Sequence, residues 1–257
     1  MVGHVTAPAA ALADRLPDWV TLVRAPNPGP MTLDGTNTWV LRGSGADRSV
    51  VIDPGPLDEG HLRAVADTGP VGAVLPTHGH PDHVEGLARF VELTGAGDDT
   101  SAGLEITHLV TPGHTADSVC FLVESGGERV IFTGDTILGR GTTIVAWPDG
   151  NLGDYLASLE ALSAYDGVPA LPGHGPALAD CGAAARFYLA HRRARLDQVR
   201  RALSEGARSA QEVVAKVYAD VDPSLWPAAE WSVRAQLAYL GHDGGESTSG
   251  SVWLDSP

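Results

Sequence analysis

Thr77-His78-Gly79-His80-Pro81-Asp82-His83 is the stretch on which the reading of this chain turns. It follows an apolar run over residues 72–75 and precedes an amphipathic one, so it lies where a strand gives way to a helix. His78 and His80 are two apart, a spacing that lets an extended loop turn both imidazoles to one side. Asp82 and His83 sit where the chain starts to coil. Four metal-capable side chains placed in this way can serve two adjacent cations.

Outward from that stretch, three segments supply what a two-metal site still lacks. They are His114 in Thr-Pro-Gly-His-Thr, Asp135 in Thr-Gly-Asp-Thr and His174 in Leu-Pro-Gly-His-Gly-Pro, each just after an apolar run. Singly, each reads as an ordinary turn residue. Together with the first segment they make a coherent set, because zinc favours neutral imidazole and carboxylate. One carboxylate can also bridge two metals ~3.5–4 Å apart.

The surrounding pattern alternates short apolar strands with amphipathic helices and shows no internal repeat. Strands are expected over 20–23, 38–42, 49–53, 72–75, 104–110, 118–124 and 129–133, and helices over 57–67, 83–94 and 154–165. This fits a mixed α/β or sheet-sandwich architecture. After Pro176 the strand signals stop, and helices are expected over 183–204, 210–218 and 230–240. The chain therefore divides into an N-terminal arm (1–17), a catalytic domain (18–185), a small helical appendage (186–240) and a flexible tail (241–257).

With 43% hydrophobic and 19% charged residues, the 257-residue chain has an ordinary globular balance. It lacks the ~18 consecutive apolar residues of a membrane helix and the segments of a signal peptide, so a soluble, cytoplasmic protein without a membrane partner is expected. The net charge of −15 is unevenly spread: residues 1–185 hold 8 basic and 23 acidic side chains, whereas residues 186–208 hold 7 arginines against 2 acids. A body this acidic excludes polyanion binding through its bulk surface. Lys216 is the one lysine, which removes lysine-nucleophile chemistry from the main body. Cys120 and Cys181 match no metal or disulfide pattern.

In order, His78, His80, Asp82, His83, His114, Asp135 and His174 resemble the signature of the metallo-β-lactamase superfamily. The resemblance implies an α+β fold, a four-layer αβ/βα sandwich with metals at one edge of its two sheets, here carrying a small helical C-terminal domain. By position it implies that His78, His80 and His114 hold one metal and Asp82, His83 and His174 the other, with Asp135 bridging and Asp53 supporting the site from behind. The implied cofactor is two Zn²⁺, with Fe or Mn as alternatives. The implied nucleophile is a bridging hydroxide, which Asp82 helps to orient.

Within the superfamily, three segments look like the beta-lactamase-like protein two group. They are Asn-Pro-Gly-Pro-Met-Thr-Leu-Asp-Gly-Thr-Asn-Thr-Trp-Val-Leu at 27–41, Gly-Arg-Gly-Thr-Thr at 139–143 and Tyr-Leu-Ala-His-Arg at 188–192. The appendage is similar to that group's winged-helix-like piece. The group's better-known animal members are mitochondrial single-strand endoribonucleases, and its bacterial members are described mostly as hydrolases. One departure stands out: only 31 positions separate His83 from His114, so residues 95–103 must bridge a gap that the family fills with an extra strand and loop.

Two Zn²⁺ with Asp82 and Asp135 give a site of net charge about +2, or +1 with hydroxide, which attracts a small anionic or acyl substrate. The first expectation is therefore a hydrolase of a thioester, lactone or β-lactam. The second is a single-strand endoribonuclease that binds RNA through Arg192, Arg193, Arg195, Arg200 and Arg201. The third is a non-catalytic metal module or an iron-dependent, sulfur-dioxygenase-like enzyme. Arg140, Thr142 and Arg192 are the candidate substrate contacts, and Trp226 and Trp231 are expected in the core of the appendage.

Overall fold

A computed structural model describes Leu12 and residues 16–242; the rest of the expected arm and the tail from residue 243 lie outside the described residues. Strands β1 (Val20–Arg24), β2 (Asn37–Leu41), β3 (Ser49–Ile52) and β4 (Val71–Leu75) form one sheet in that order. Strands β5 (Glu105–Val110), β6 (Val119–Ser125), β7 (Glu128–Gly134) and β8 (Ala170–Pro172) form the second. In each sheet the first two pairings are antiparallel and the third is parallel. A parallel pair needs a crossover, supplied by α1 (Glu59–Ala66) between β3 and β4 and by α4 (Leu152–Leu162) between β7 and β8. The chain thus repeats a connectivity without repeating residues, which is why no repeat is visible in its sequence.

Alternation along the strands builds the layers. Trp39, Ile52, Phe121 and Phe132 fill the space between the sheets, with the Trp39 and Phe132 rings edge-on at 5.7 Å. Their neighbours Val40 and Val51 face outward onto Leu62 and Val65 of α1 and Phe90 of α3 (Leu87–Thr94). On the other side Cys120 and Ile131 pack against Tyr155 and Leu159 of α4 and Ala184 and Tyr188 of α5 (Cys181–Ser204). The result is the four-layer α+β sandwich that the resemblance implied.

The expected helix over 83–94 is two pieces, α2 (Pro81–Val84) and α3, parted at Gly86. A Cβ at Gly86 would lie 2.8 Å from both the Pro56 carbonyl oxygen and Leu62 Cδ2, so the loop after β3 passes too close for any side chain there. Strand β8, only three residues long and ending in proline, gives no periodicity and is absent from the expected strands. Residues 95–103 close the short connection by lying against the first sheet: Asp98 bridges Ala73, Gly97 N–H donates to Gly72 O and Gly43 N–H to Ala102 O.

Helix α5 runs unbroken through position 185/186, where the sequence suggests that one unit ends and the next begins. Its first half belongs to the sandwich core, and its second half packs with α6 (Ala210–Val217) and α7 (Trp226–Tyr239) around Val199, Val213 and Val233. Helix α7 starts earlier than the expected residue 230, with Pro227 in its first turn where no N–H is needed. Trp226 packs against this cluster, whereas Trp231 is partly exposed. Among the described residues no helix is long and apolar enough to cross a membrane.

Candidate metal centre

The chain passes one edge of the sandwich repeatedly, each time at the C-terminal end of a strand. His78 and His80 follow β4, with Asp82 and His83 on α2; His114 follows β5, Asp135 follows β7 and His174 follows β8. All seven side chains meet there. His80 Nδ1 lies 3.1 Å from both His78 Nε2 and His114 Nε2. His174 Nε2 lies 3.3 Å from His83 Nε2 and 3.1 Å from Asp82 Oδ2. Asp135 Oδ2 sits between the two sets, 3.8 Å from His114 Nε2 and 3.4 Å from His174 Nε2.

Every imidazole in the cluster has its outer nitrogen held. His114 Nδ1–H donates to Ile144 O at 2.8 Å and His174 Nδ1–H to Gly35 O at 3.3 Å. His83 Nδ1–H donates to Asp53 Oδ2 at 2.8 Å and His80 Nε2–H to Asp149 Oδ2 at 3.2 Å. His78 Nδ1 meets Thr77 Oγ1 at 3.0 Å; that hydroxyl gives its own proton to Asp53 Oδ2, so it accepts from His78. Carbonyls and carboxylates can only accept, which places a proton on each outward nitrogen and leaves the inward one as the atom that a cation or a second proton would take.

Asp53 anchors this arrangement from behind. It is buried, adopts a left-handed backbone (φ 52°) that few non-glycine residues tolerate, and takes hydrogen bonds from Thr77 N–H, Thr77 Oγ1 and His83 Nδ1. Asp135 is its opposite. Its Oδ1 is buried without a hydrogen-bond partner, a costly state for a carboxylate unless a ligand completes it.

Electrostatics agrees with the geometry. Burial works against a proton on His83 and His174, yet the carboxylates of Asp53, Asp135 and Asp82 around His83, and of Asp135 and Asp82 around His174, raise them to about 9 and about 10. Burial also opposes ionisation of Asp135, but His83 and His174 hold it well below the usual carboxylate range. His78 is held far below the ordinary histidine range by burial and by His83. The pocket demands positive charge, and its donors are the nitrogens and oxygens that bind divalent cations. Three groupings could each hold an ion: His78, His80 and His114; His78, His83 and Asp135; Asp82, His83 and His174.

Gly173 completes the packing, since a Cβ there would lie 2.6 Å from both Asp135 Oδ1 and His83 Cε1.

The candidate substrate contacts fare differently. Arg140 reaches across to Asp34 in an exposed ion pair, joining the loops before β2 and after β7. Thr142 is half-buried, and it is its neighbour Thr143 whose Oγ1 lies 3.4 Å from His114 Nδ1. Arg192, expected at a substrate surface, is only 6% exposed; its guanidinium donates to Thr143 O and lies 5.3 Å from the centre of the Tyr155 ring. Of the other arginines expected to contact RNA, Arg193 pairs with Glu160, Arg200 with Asp197, and Arg195 with Val217 O and the Tyr218 ring, while Arg201 is exposed. Asp149, Ile144 and Gly35 are not among the expected site residues. Two of them act through backbone carbonyls, which no residue type announces, and Asp149 reads in the sequence only as part of a Pro-Asp-Gly turn.

The profile described as the metallo-beta-lactamase superfamily matches residues 31–101 and 97–174, and that of the beta-lactamase associated winged helix domain matches 209–245. A beta-lactamase-like protein 2 homolog of Caenorhabditis elegans is 30% identical over 90% of this chain and 87% of its own length. An atrochrysone carboxyl ACP thioesterase of Aspergillus fumigatus is 36% identical over 63% of this chain and 58% of its own. Among solved structures, a metallo-beta-lactamase family protein from Thermus thermophilus superposes with a TM-score of 0.70 at 23% identity, covering 90% of this chain and 96% of that one.

Proposed function

The chain belongs to the metallo-beta-lactamase superfamily, and from that premise we propose that it is a dinuclear zinc hydrolase of a small acyl substrate, a thioester first among them. The observation that carries the reading is Asp135, whose one oxygen lies between two sets of imidazoles while the other is buried without a hydrogen bond, 3.5 Å from His83 Nε2. Two cations held there supply a water acidified toward ~7 and a Lewis acid for the carbonyl oxygen. The residues do the rest. His78, His80 and His114 hold one side, Asp82, His83 and His174 the other, and the outward hydrogen bonds keep their lone pairs aimed without reorganisation. Asp82 is more exposed than Asp135, the other carboxylate between the imidazoles, and would accept a hydrogen bond from the attacking water to fix its direction.

Two features favour an acyl substrate over RNA. The loops that build the site also carry exposed apolar side chains, Met31, Leu57 and Trp147, suited to a hydrocarbon group. Four of the five α5 arginines that could grip a phosphate backbone, Arg192, Arg193, Arg195 and Arg200, are engaged with the protein itself. The thioesterase name of one relative points the same way. The test is to offer the purified protein an acyl-carrier thioester, a chromogenic β-lactam and labelled single-stranded RNA, with and without chelator and across salt. Chelator-sensitive thioester cleavage with shallow salt dependence is expected. RNA cleavage that falls steeply with salt, or turnover indifferent to the chelator, would overturn it.

A further inference from the structure

Residues 143–149 form a strap across the His78/His80/His114 side of the cluster, and it is fastened at both ends to different things. Inward, Ile144 O accepts the His114 Nδ1 proton, Thr143 Oγ1 lies beside the same nitrogen, and Asp149 Oδ2 accepts from His80 Nε2. Outward, Thr143 O accepts from Arg192 of α5, and Trp147 N–H donates to Trp231 O of α7 at 3.4 Å. Between them Val145 is buried in the core that α4 and α5 share.

Arg192 is the conspicuous member. It falls on the buried stripe of α5 with Tyr188, Leu196 and Val199, where an aliphatic side chain would pack. Its Nε is buried without a hydrogen-bond partner, and among the described residues no carboxylate lies within ion-pair distance of it. Taking a guanidinium out of water without a carboxylate is unfavourable. What the arrangement gains is a charged donor on the Thr143 carbonyl, one residue from the carbonyl that orients His114.

Resting on the two-metal reading above, we propose that Arg192 and Asp149 are positioning residues for the three-histidine half of the centre. Arg192 acts through the Thr143–Ile144 backbone on His114, and Asp149 acts directly on His80. The helical C-terminal piece, tied to the strap through α5 and α7, thereby sets the affinity of one metal position and leaves the Asp82/His83/His174 position alone.

Calorimetric titration of metal-stripped protein with Zn²⁺ tests this without any substrate. Wild type is expected to take up two equivalents. Asp149→Asn, a change at an exposed side chain, and Arg192→Met are each expected to weaken one equivalent by ~10–100-fold, the usual effect of losing an outer-shell partner, and to leave the other within about twofold. Arg192→Lys, which keeps a charged donor, is expected to recover part of the loss. Thermal unfolding of the metal-free proteins separates a folding defect from a positioning one, and Asp149→Asn stands in if Arg192→Met does not fold. Two unchanged equivalents in Asp149→Asn would overturn the proposal while sparing the hydrolase reading; wild type that binds no zinc would overturn that reading instead.

Discussion

The two sheets share a connectivity, and each places an aspartate just past its third strand: Asp53 after β3 and Asp135 after β7. Both are buried at the same edge, yet their surroundings differ in kind. Asp53 is saturated by three protein donors and never faces the cluster's interior. Asp135 looks into it, with one oxygen between two histidine sets and the other without a hydrogen bond. One carboxylate is used up by protein donors, and the other keeps an oxygen free of hydrogen bonds, which on the proposed reading a cation would take. The same topological position supplies scaffold in one half and chemistry in the other.

The comparison breaks most readily at Asp135. Asp135→Asn keeps the shape but halves the donor power, and hydrolysis in a steady-state assay is expected to fall by at least ~10²–10³-fold, with the fold unchanged by circular dichroism. Gly173→Ala replaces no side chain of the cluster, but its methyl would press on Asp135 and His83. Displacing a reacting group by ~1 Å can cost ~10²-fold, so kcat/KM should fall by about that much. Retention of full activity would mean that Asp135 is not held as tightly as the packing implies.

Asp53 should behave as scaffold. Asp53→Asn is expected to reduce metal affinity by ~10–100-fold through the loosened His83, and to lower unfolding free energy by about 1–3 kcal/mol because buried donors lose their acceptor. Denaturant melts of the metal-free protein read the second effect separately from the first. The smallest effect belongs to the arginine face of α5. Arg193→Ala removes an exposed pair with Glu160 and should change stability by no more than ~0.5 kcal/mol, with hydrolysis within about twofold of wild type. A large loss there would return the helix to the substrate-binding role that its sequence first suggests.

The seven-residue cluster is legible because imidazoles and carboxylates in a fixed order are rare and chemically committed. The seven longer strands are legible from apolar runs between turn residues, whereas β8 is too short to show a period. The break at Gly86 is hidden because its cause, the close passage of Pro56 and Leu62, is tertiary. Arg192 reads in the sequence as one of an arginine run, when its spacing from Tyr188, Leu196 and Val199 puts it on the buried stripe. What stays illegible is the outer ring of hydrogen bonds, much of it backbone carbonyl, that decides which way each imidazole points.

The central claim is that seven side chains hold two cations that share Asp135. Anomalous diffraction from crystals of the zinc-loaded protein tests it most directly. The account predicts two peaks ~3.5–4 Å apart, one bonded to His78, His80 and His114, the other to Asp82, His83 and His174, with Asp135 reaching both. A single peak, or two peaks with Asp135 bound to neither, would contradict it.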